Sequence, residues 1–250
     1  KSEGPGNVGF QPLGAQYDAV NTYNVHWSVA LNGADGLILN DDYSDTLLDT
    51  QAWKDNLANY VGAYTEHELG TPGTPAASDE DQVANLASGN VSMSYYESPN
   101  HPTMMERAPD LLEDGTIKYG TGIAGNSGQQ VIPSYKTFGL MNAPDGVDED
   151  TWSKRQEAAV DFAARFLQPE QQKLWPEATG FLPIREDMYS ELDSARGSHN
   201  FVSSAKEALE TVEHTFGGHP QLANIMFNTM QPYIQQAFQE KITPEEAAEQ

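Results

Sequence analysis

Cysteine is absent from the 250 residues. This excludes disulfides, thiolate zinc sites and a cysteine nucleophile. Basic residues are scarce: 13 Lys and Arg stand against 37 Asp and Glu, a net charge of -24. Nucleic acid would be repelled, because phosphate binding draws on a Lys/Arg surface that this chain lacks. No run of 18 or more apolar residues occurs, which excludes a membrane-spanning helix. The front carries no basic, then apolar, then small-residue segment, and it opens on Lys1. The expectation is either a leader already removed or a start inside a longer protein.

What is present is acid dispersed among good apolar periodicities. Asp41-Asp42, Asp79-Glu80-Asp81, Asp148-Glu149-Asp150 and Glu245-Glu246 interrupt ordered segments, which is unlike a disordered acidic tail. Such a surface repels itself at low ionic strength, and salt screens it within roughly 3 Å at 1 M. A halophilic source is the expected explanation; an ordinary acidic secreted protein is the alternative.

The chain opens on a Gly- and Pro-rich stretch with a short strand at 8–10, followed by a mostly apolar segment 23–31 and a strand at 37–39. Trp53, Leu57, Tyr60, Val61 and Tyr64 fall at helical spacing, capped by Asp49 or Thr50 and stopped by Gly70. Ser78 with Asp81 three residues on starts a second helix, ended by Gly89. Val91, Met93 and Tyr95 alternate with serines, the pattern of a half-buried strand. A single helix is expected over 103–113, then strands at 117–123 and 138–141. Helices follow: 150–167, with Trp152, Ala159, Phe162, Ala163 and Phe166 on one face; 169–178; 203–216; 220–238, kinked at Pro232; and a start at Thr243-Pro244. Strands alternating with helices indicate an α/β protein.

Motifs of known chemistry are missing. His67-Glu68 lacks a second ligand, since Thr71 occupies the position four residues on. His214 and His219 flank Gly217-Gly218, where a role on the surface or lining a cleft is favoured over metal binding. There is no G-x-S-x-G elbow, no phosphate loop and no dinucleotide fingerprint. Aromatic and polar residues do cluster in loops: Tyr23, Asn24, His26 and Trp27; Tyr95, Tyr96, Glu97, Asn100 and His101; Tyr135 and Lys136; and 216–219. Such groups suit sugars, whose C–H faces stack on rings while amides and carboxylates bond the hydroxyls.

Four segments carry a family resemblance. "LASGNVSMS" from Leu86 resembles the "F-x-x-G-x-x-A-M" strand of extracellular solute-binding proteins that serve ABC sugar importers. "SKRQEAAVDFAARFLQPEQQKLWPEATGFLPIRED" from Ser153 is similar to that family's "S-K-x-x-E-A-A-W-x-F-I-x-F-L-x-S-x-E-x-Q-x-x-W-x-x-x-T-G-x-L-P-V". The closing "QEKITPEEAAEQ" resembles "G-x-x-T-P-E-E-A-L", and Trp27 with Asn32 to Gly36 resembles "W-x-x-x-x-x-x-x-G-G". Two departures bear on the ligand: Tyr95-Tyr96-Glu97-Ser98 stands where the family often has Gly-Pro-Trp, and Tyr135 or Lys136 matches a family tryptophan.

The resemblance implies an α/β fold of the type II periplasmic-binding-protein kind, with ligand held between two lobes that close about a hinge. It assigns residues 1–135 and 196–250 to a largely complete second lobe. Residues 138–192 become the helical remainder of a partial first lobe, whose opening sheet would lie before residue 1. It implies solute binding, with a sugar or oligosaccharide as the expected solute, a membrane ABC permease as partner, no catalysis and no cofactor or metal. Trp27 and Tyr96 would stack on the sugar; Asn24, Glu97 and Asn100 would bond its hydroxyls. His26, Tyr135, Lys136, His219 and Phe227 complete the expected contacts. The implied location is extracytoplasmic, lipid-anchored or secreted, and the incomplete lobe invites self-association through apolar surface at 152–175. The competing expectations are a secreted carbohydrate-active hydrolase with paired carboxylates, and a folded fragment without ligand binding of its own.

Overall fold

The computed structural model describes residues 9, 10, 12, 39, 40, 42–95, 97–120, 138–189, 201–210 and 219–250. The expected strand at 37–39 and the second half of that at 117–123 lie largely outside these residues, as do 23–31 and 211–216. Among the described residues the architecture is helical, with an isolated antiparallel bridge between Leu39 and Thr46.

Helix boundaries follow local chemistry. Helix α1 (Gln51–Thr65) starts where Thr50 Oγ1 accepts from the Trp53 N–H at 3.3 Å. Helix α2 (Asp79–Ala87) opens on a reciprocal capping box: Ser78 Oγ accepts from the Asp81 N–H, and Asp81 Oδ2 accepts from the Ser78 N–H. The expected single helix over 103–113 is instead two, α3 (His101–Arg107) and α4 (Pro109–Glu113). Pro109 forces Ala108 out of helical geometry, to φ -143° and ψ 52°.

Helices α5 (Glu149–Phe166) and α6 (Pro169–Thr179) are joined by a two-residue connection, with Pro169 in the first turn of α6. Helix α7 (Phe201–Leu209) begins two residues earlier than its sequence suggests. The expected 220–238 helix is interrupted: a turn at Leu222–Asn224 runs into a π segment, Ile225–Met230, before α8 (Gln231–Phe238). Pro232 has no N–H to offer a preceding carbonyl, and the interruption takes the form of a widened turn just before it. A second capping box, Thr243 with Glu246, opens α9 (Pro244–Glu249).

The largest core joins the two sequence extremes of the described chain. Trp53, Leu57, Tyr60 and Val61 of α1 pack against Met226, Met230, Ile234, Ala237 and Phe238, with Ala247 and Ala248 of α9 closing the cluster. Tyr60 meets Phe238 edge to face at 5.5 Å. A second core unites α2 to α4 through Val83, Met104, Ala108 and Leu112. A third gathers Phe201 and Val202 with Tyr119, Leu182 and Tyr189.

Two expected strands are corrected. Past a bridge at Val91, residues 92–95 form no ladder, and Met93 is 51% exposed. Residues 138–141 also lack a ladder, with Phe138, Leu140 and Met141 at 59%, 56% and 76% exposure. A lone extended segment is not stable as a strand without hydrogen-bonded neighbours. Helix α5 buries none of its residues. Phe138, Phe166, Trp175 and Phe181 instead form a chain of ring contacts, 5.0 to 6.3 Å between successive centroids.

The cap of α5 is a charge-dependent device. Asp148 Oδ1 accepts from the Thr151 N–H at 2.9 Å, and hydrogen bonds from Thr151 hold the carboxyl below the ordinary aspartate range. A lowered native pKa stabilises the fold above the unfolded value, and this contribution is lost as pH falls through the lowered one. Asp148→Asn keeps a capping oxygen and removes the charge. The wild type should therefore melt above the variant near pH 6 and converge with it as pH falls below the ordinary aspartate range. A gap that does not change across a pH series of thermal melts would contradict this.

Candidate functional site

The sequence-predicted contacts fall into three groups. Asn24, His26, Trp27, Tyr96, Tyr135 and Lys136 lie outside the described residues. Glu97 and Asn100 are brought together on a tight corner. Phe227 packs on the α1/α8 core, and His219 lies beside Tyr43.

The corner is built by backbone and proline. Glu97 is extended, and a single 3-10 turn, Ser98–Asn100, carries Pro99 and leads directly into α3. The Asn100 N–H donates to the Glu97 carbonyl at 3.0 Å, which folds the two expected ligand side chains onto one short arc. The Asn100 Nδ2 is enclosed and has no hydrogen-bond partner among the described residues, the kind of donor that a buried acceptor would satisfy. Tyr95, two residues before the corner, packs on the α1/α8 core and meets Phe10 edge to face at 5.6 Å.

His101, grouped with the polar loop residues in the sequence, belongs to the interior. It is wholly buried, stacks on Phe201 at 4.1 Å with rings 3° from parallel, and its Nδ1 lies 2.7 Å from the Tyr119 hydroxyl. Ser204 Oγ donates to the Tyr119 carbonyl at 2.9 Å, tying α7 to the same cluster. The stack anchors the C-terminal side of the corner. Burial raises the Tyr189 phenol above its ordinary value, with Glu186 reinforcing the shift.

His219 precedes the turn at Leu222–Asn224, its Nδ1 accepting from the Gln221 N–H at 3.2 Å, and its ring lies 5.7 Å from that of Tyr43. Tyr43 is held at φ 58°, an uncommon conformation for a bulky side chain. Phe227 is half-buried against the α1/α8 core. A cavity nearby, lined by Leu57, Met230, Tyr233 and Ala247, measures about 20 Å³ and is apolar. It has room for a water and not for a sugar.

Among the described residues, no three His, Asp or Glu side chains are grouped to hold a metal ion, and no described helix is long and apolar enough to cross a membrane. Sequence reasoning missed two residues that hold the corner's neighbourhood together. Gln172 is wholly buried, and its side chain bonds both the Phe166 carbonyl and the Ile184 N–H. Gly180, legible only as a helix stop, is a point of close approach to the corner. The T-G-x-L-P pattern around it was the available signal.

No protein of curated function matches the chain in sequence. Among solved structures, it resembles maltose-bound MalE3 of T. maritima, with a TM-score of 0.74 at 15% identity over 98% of this chain and 59% of that one. An Agrobacterium radiobacter K84 ABC transporter solute-binding protein in complex with ribitol gives 0.74 at 16% identity, over 97% of this chain and 57% of that one. The Listeria monocytogenes ABC substrate-binding protein Lmo0181 in complex with cycloalternan gives 0.72 at 17% identity, over 100% and 58%. The chain thus spans 57–59% of the length of these structures. At such identities the likeness establishes the fold, which is periplasmic-binding-protein-like. The sequence itself is more specific: residues 5–202 match the model of bacterial extracellular solute-binding proteins, and the chain belongs to that family.

Proposed function

We propose that this chain is the ligand-holding part of a non-catalytic solute-binding protein for ABC import, with a sugar, an oligosaccharide or a sugar-like polyol as its solute. Family membership over residues 5–202 carries this reading. The structural neighbours in complex with maltose, ribitol and cycloalternan support the solute class. In the proposed site, Trp27 and Tyr96 stack on the solute and Asn24, Glu97 and Asn100 bond its hydroxyls. His26, Tyr135, Lys136, His219 and Phe227 line the surround. The partner is a membrane permease, and the protein works outside the cytoplasm, secreted or lipid-anchored.

In this reading residues 1–135 and 196–250 form the second lobe and 138–192 are a helical piece of the first. The packing of Met226 to Phe238 on α1 supports the former. The bare face of α5 and α6 supports the latter: Val160, Phe162, Leu167 and Leu174 are 43–61% exposed, as expected of helices made to cover a sheet. The same face would drive self-association of the chain alone. The net charge of -24 supports adaptation to high salt.

The test is a thermal-shift titration with maltose, ribitol and a cyclic glucan, at about 0.2 M and 2 M NaCl. Stabilisation by one sugar class is the expected result, abolished by Trp27→Ala or Glu97→Ala, with a higher melting temperature at the higher salt. Light scattering on the same samples reads self-association. No shift from any probe, with a cooperative transition intact, would overturn autonomous solute binding.

A further inference from the structure

We propose that Gly180 is a positioning residue for the Glu97–Asn100 corner: the absence of its side chain sets how closely the end of α6 can press on that turn. The ligand role of the corner rests on the reading above; the steric role of Gly180 does not.

Gly180 has two separable reasons to be glycine. It ends α6 at φ 76°, a left-handed conformation that glycine adopts freely and asparagine tolerates. A helix stop alone would require no more than that. A β-carbon at this position, however, would collide with the Ser98 carbonyl oxygen and lie 2.9 Å from both Pro99 Cα and Pro102 Cδ. Two of these are backbone atoms and the third belongs to a closed ring, so no flexible side-chain tip can swing away. Clearance therefore forbids any side chain, including those that suit the left-handed region.

Neither side of this contact can easily retreat. Behind Gly180, its own N–H donates to the Pro176 carbonyl at 2.8 Å. Thr179 Oγ1 donates to the Trp175 carbonyl at 2.7 Å and accepts from the Phe181 N–H at 3.3 Å. The buried Gln172 receives the Ile184 N–H at 2.8 Å and donates to the Phe166 carbonyl at 2.9 Å, clamping the 180–184 segment to the body of α6. On the far side, His101 is fixed by its stack on Phe201 and its bond to Tyr119. Between these anchors lies the 3-10 turn, and its Ser98 and Pro99 backbone is what a substituent at 180 meets first. Displacement by a substituent at 180 would be taken up there, moving Glu97 and the Asn100 amide.

The experiment uses the 250-residue chain and its Gly180→Ala and Gly180→Asn variants. Hydrogen exchange by mass spectrometry should show both variants exchanging about tenfold faster over 97–107, with α1 and α8 unchanged. Wild-type exchange in Gly180→Asn would reduce the residue to a helix stop and overturn the proposal. Equal acceleration in α1 and α8 would overturn it as well, marking general destabilisation. In calorimetric titration with the probe among maltose, ribitol and a cyclic glucan that stabilises the wild type, both variants should lose at least about tenfold in affinity. Unchanged affinity would overturn the ligand-positioning role. If no probe binds the wild type, the solute reading of the corner fails, and the exchange data alone decide whether Gly180 sets its position.

Discussion

Replacing Phe238 by alanine should destabilise the chain by about 3–5 kcal/mol and lower its melting temperature by roughly 6–20 °C. The ring is 1% exposed at the centre of the core that joins α1 to the C-terminal helices. It meets Tyr60 edge to face at 5.5 Å and lies 6.3 Å from Tyr64. The variant loses the transfer free energy of a large aromatic group and leaves a cavity among residues fixed on two helices, which cannot collapse to fill it. Circular dichroism melts measure the effect. A loss below about 1 kcal/mol would mean that the C-terminal helices are not docked on α1 in solution.

His101 should be the next most sensitive position. His101→Ala removes a ring stacked at 4.1 Å on Phe201 and its hydrogen bond with the Tyr119 hydroxyl. The expected cost is about 2–4 kcal/mol, from the vacated volume together with the lost bond to the half-buried Tyr119 hydroxyl. His101→Phe separates these contributions, since it restores the stack and not the hydrogen bond; it should recover part of the loss and remain about 1–3 kcal/mol below the wild type. Thermal melts with near-ultraviolet circular dichroism of the tyrosines follow both. Equal stability of His101→Phe and the wild type would show that the Tyr119 hydroxyl contributes nothing through this bond.

Both positions bear on the candidate site because the 97–101 corner hangs between their cores. Tyr95 packs on the Phe238 core at one end, and His101 enters the Phe201 cluster at the other. If the corner holds ligand as proposed, its support at both ends by packed aromatics leaves it little further freedom to lose on capture.

The sequence alone determined those features that short-range chemistry controls. Thr50, the Ser78–Asp81 box and the Thr243–Glu246 box were legible as helix starts because each side chain bonds a backbone N–H three residues on. Membership of a solute-binding family was likewise legible in the order of four segments, later matched over residues 5–202. Pro109 could have been read as a break and was not, since the apolar spacing across it mimics one continuous helix.

Tertiary structure decided the rest. The extended segments 92–95 and 138–141 have strand-like patterns, yet a pattern makes a ladder only when a neighbouring strand supplies the hydrogen bonds. His101 reads as a polar loop residue beside Glu97 and Asn100; only the arrival of Tyr119 and Phe201, 18 and 100 positions away in sequence, makes it a core residue. Gly180 reads as a helix stop, because a left-handed φ is a local property. Its clearance from Ser98 and Pro102 depends on two segments some 80 positions apart in sequence meeting in space, and no pattern within either segment encodes that distance.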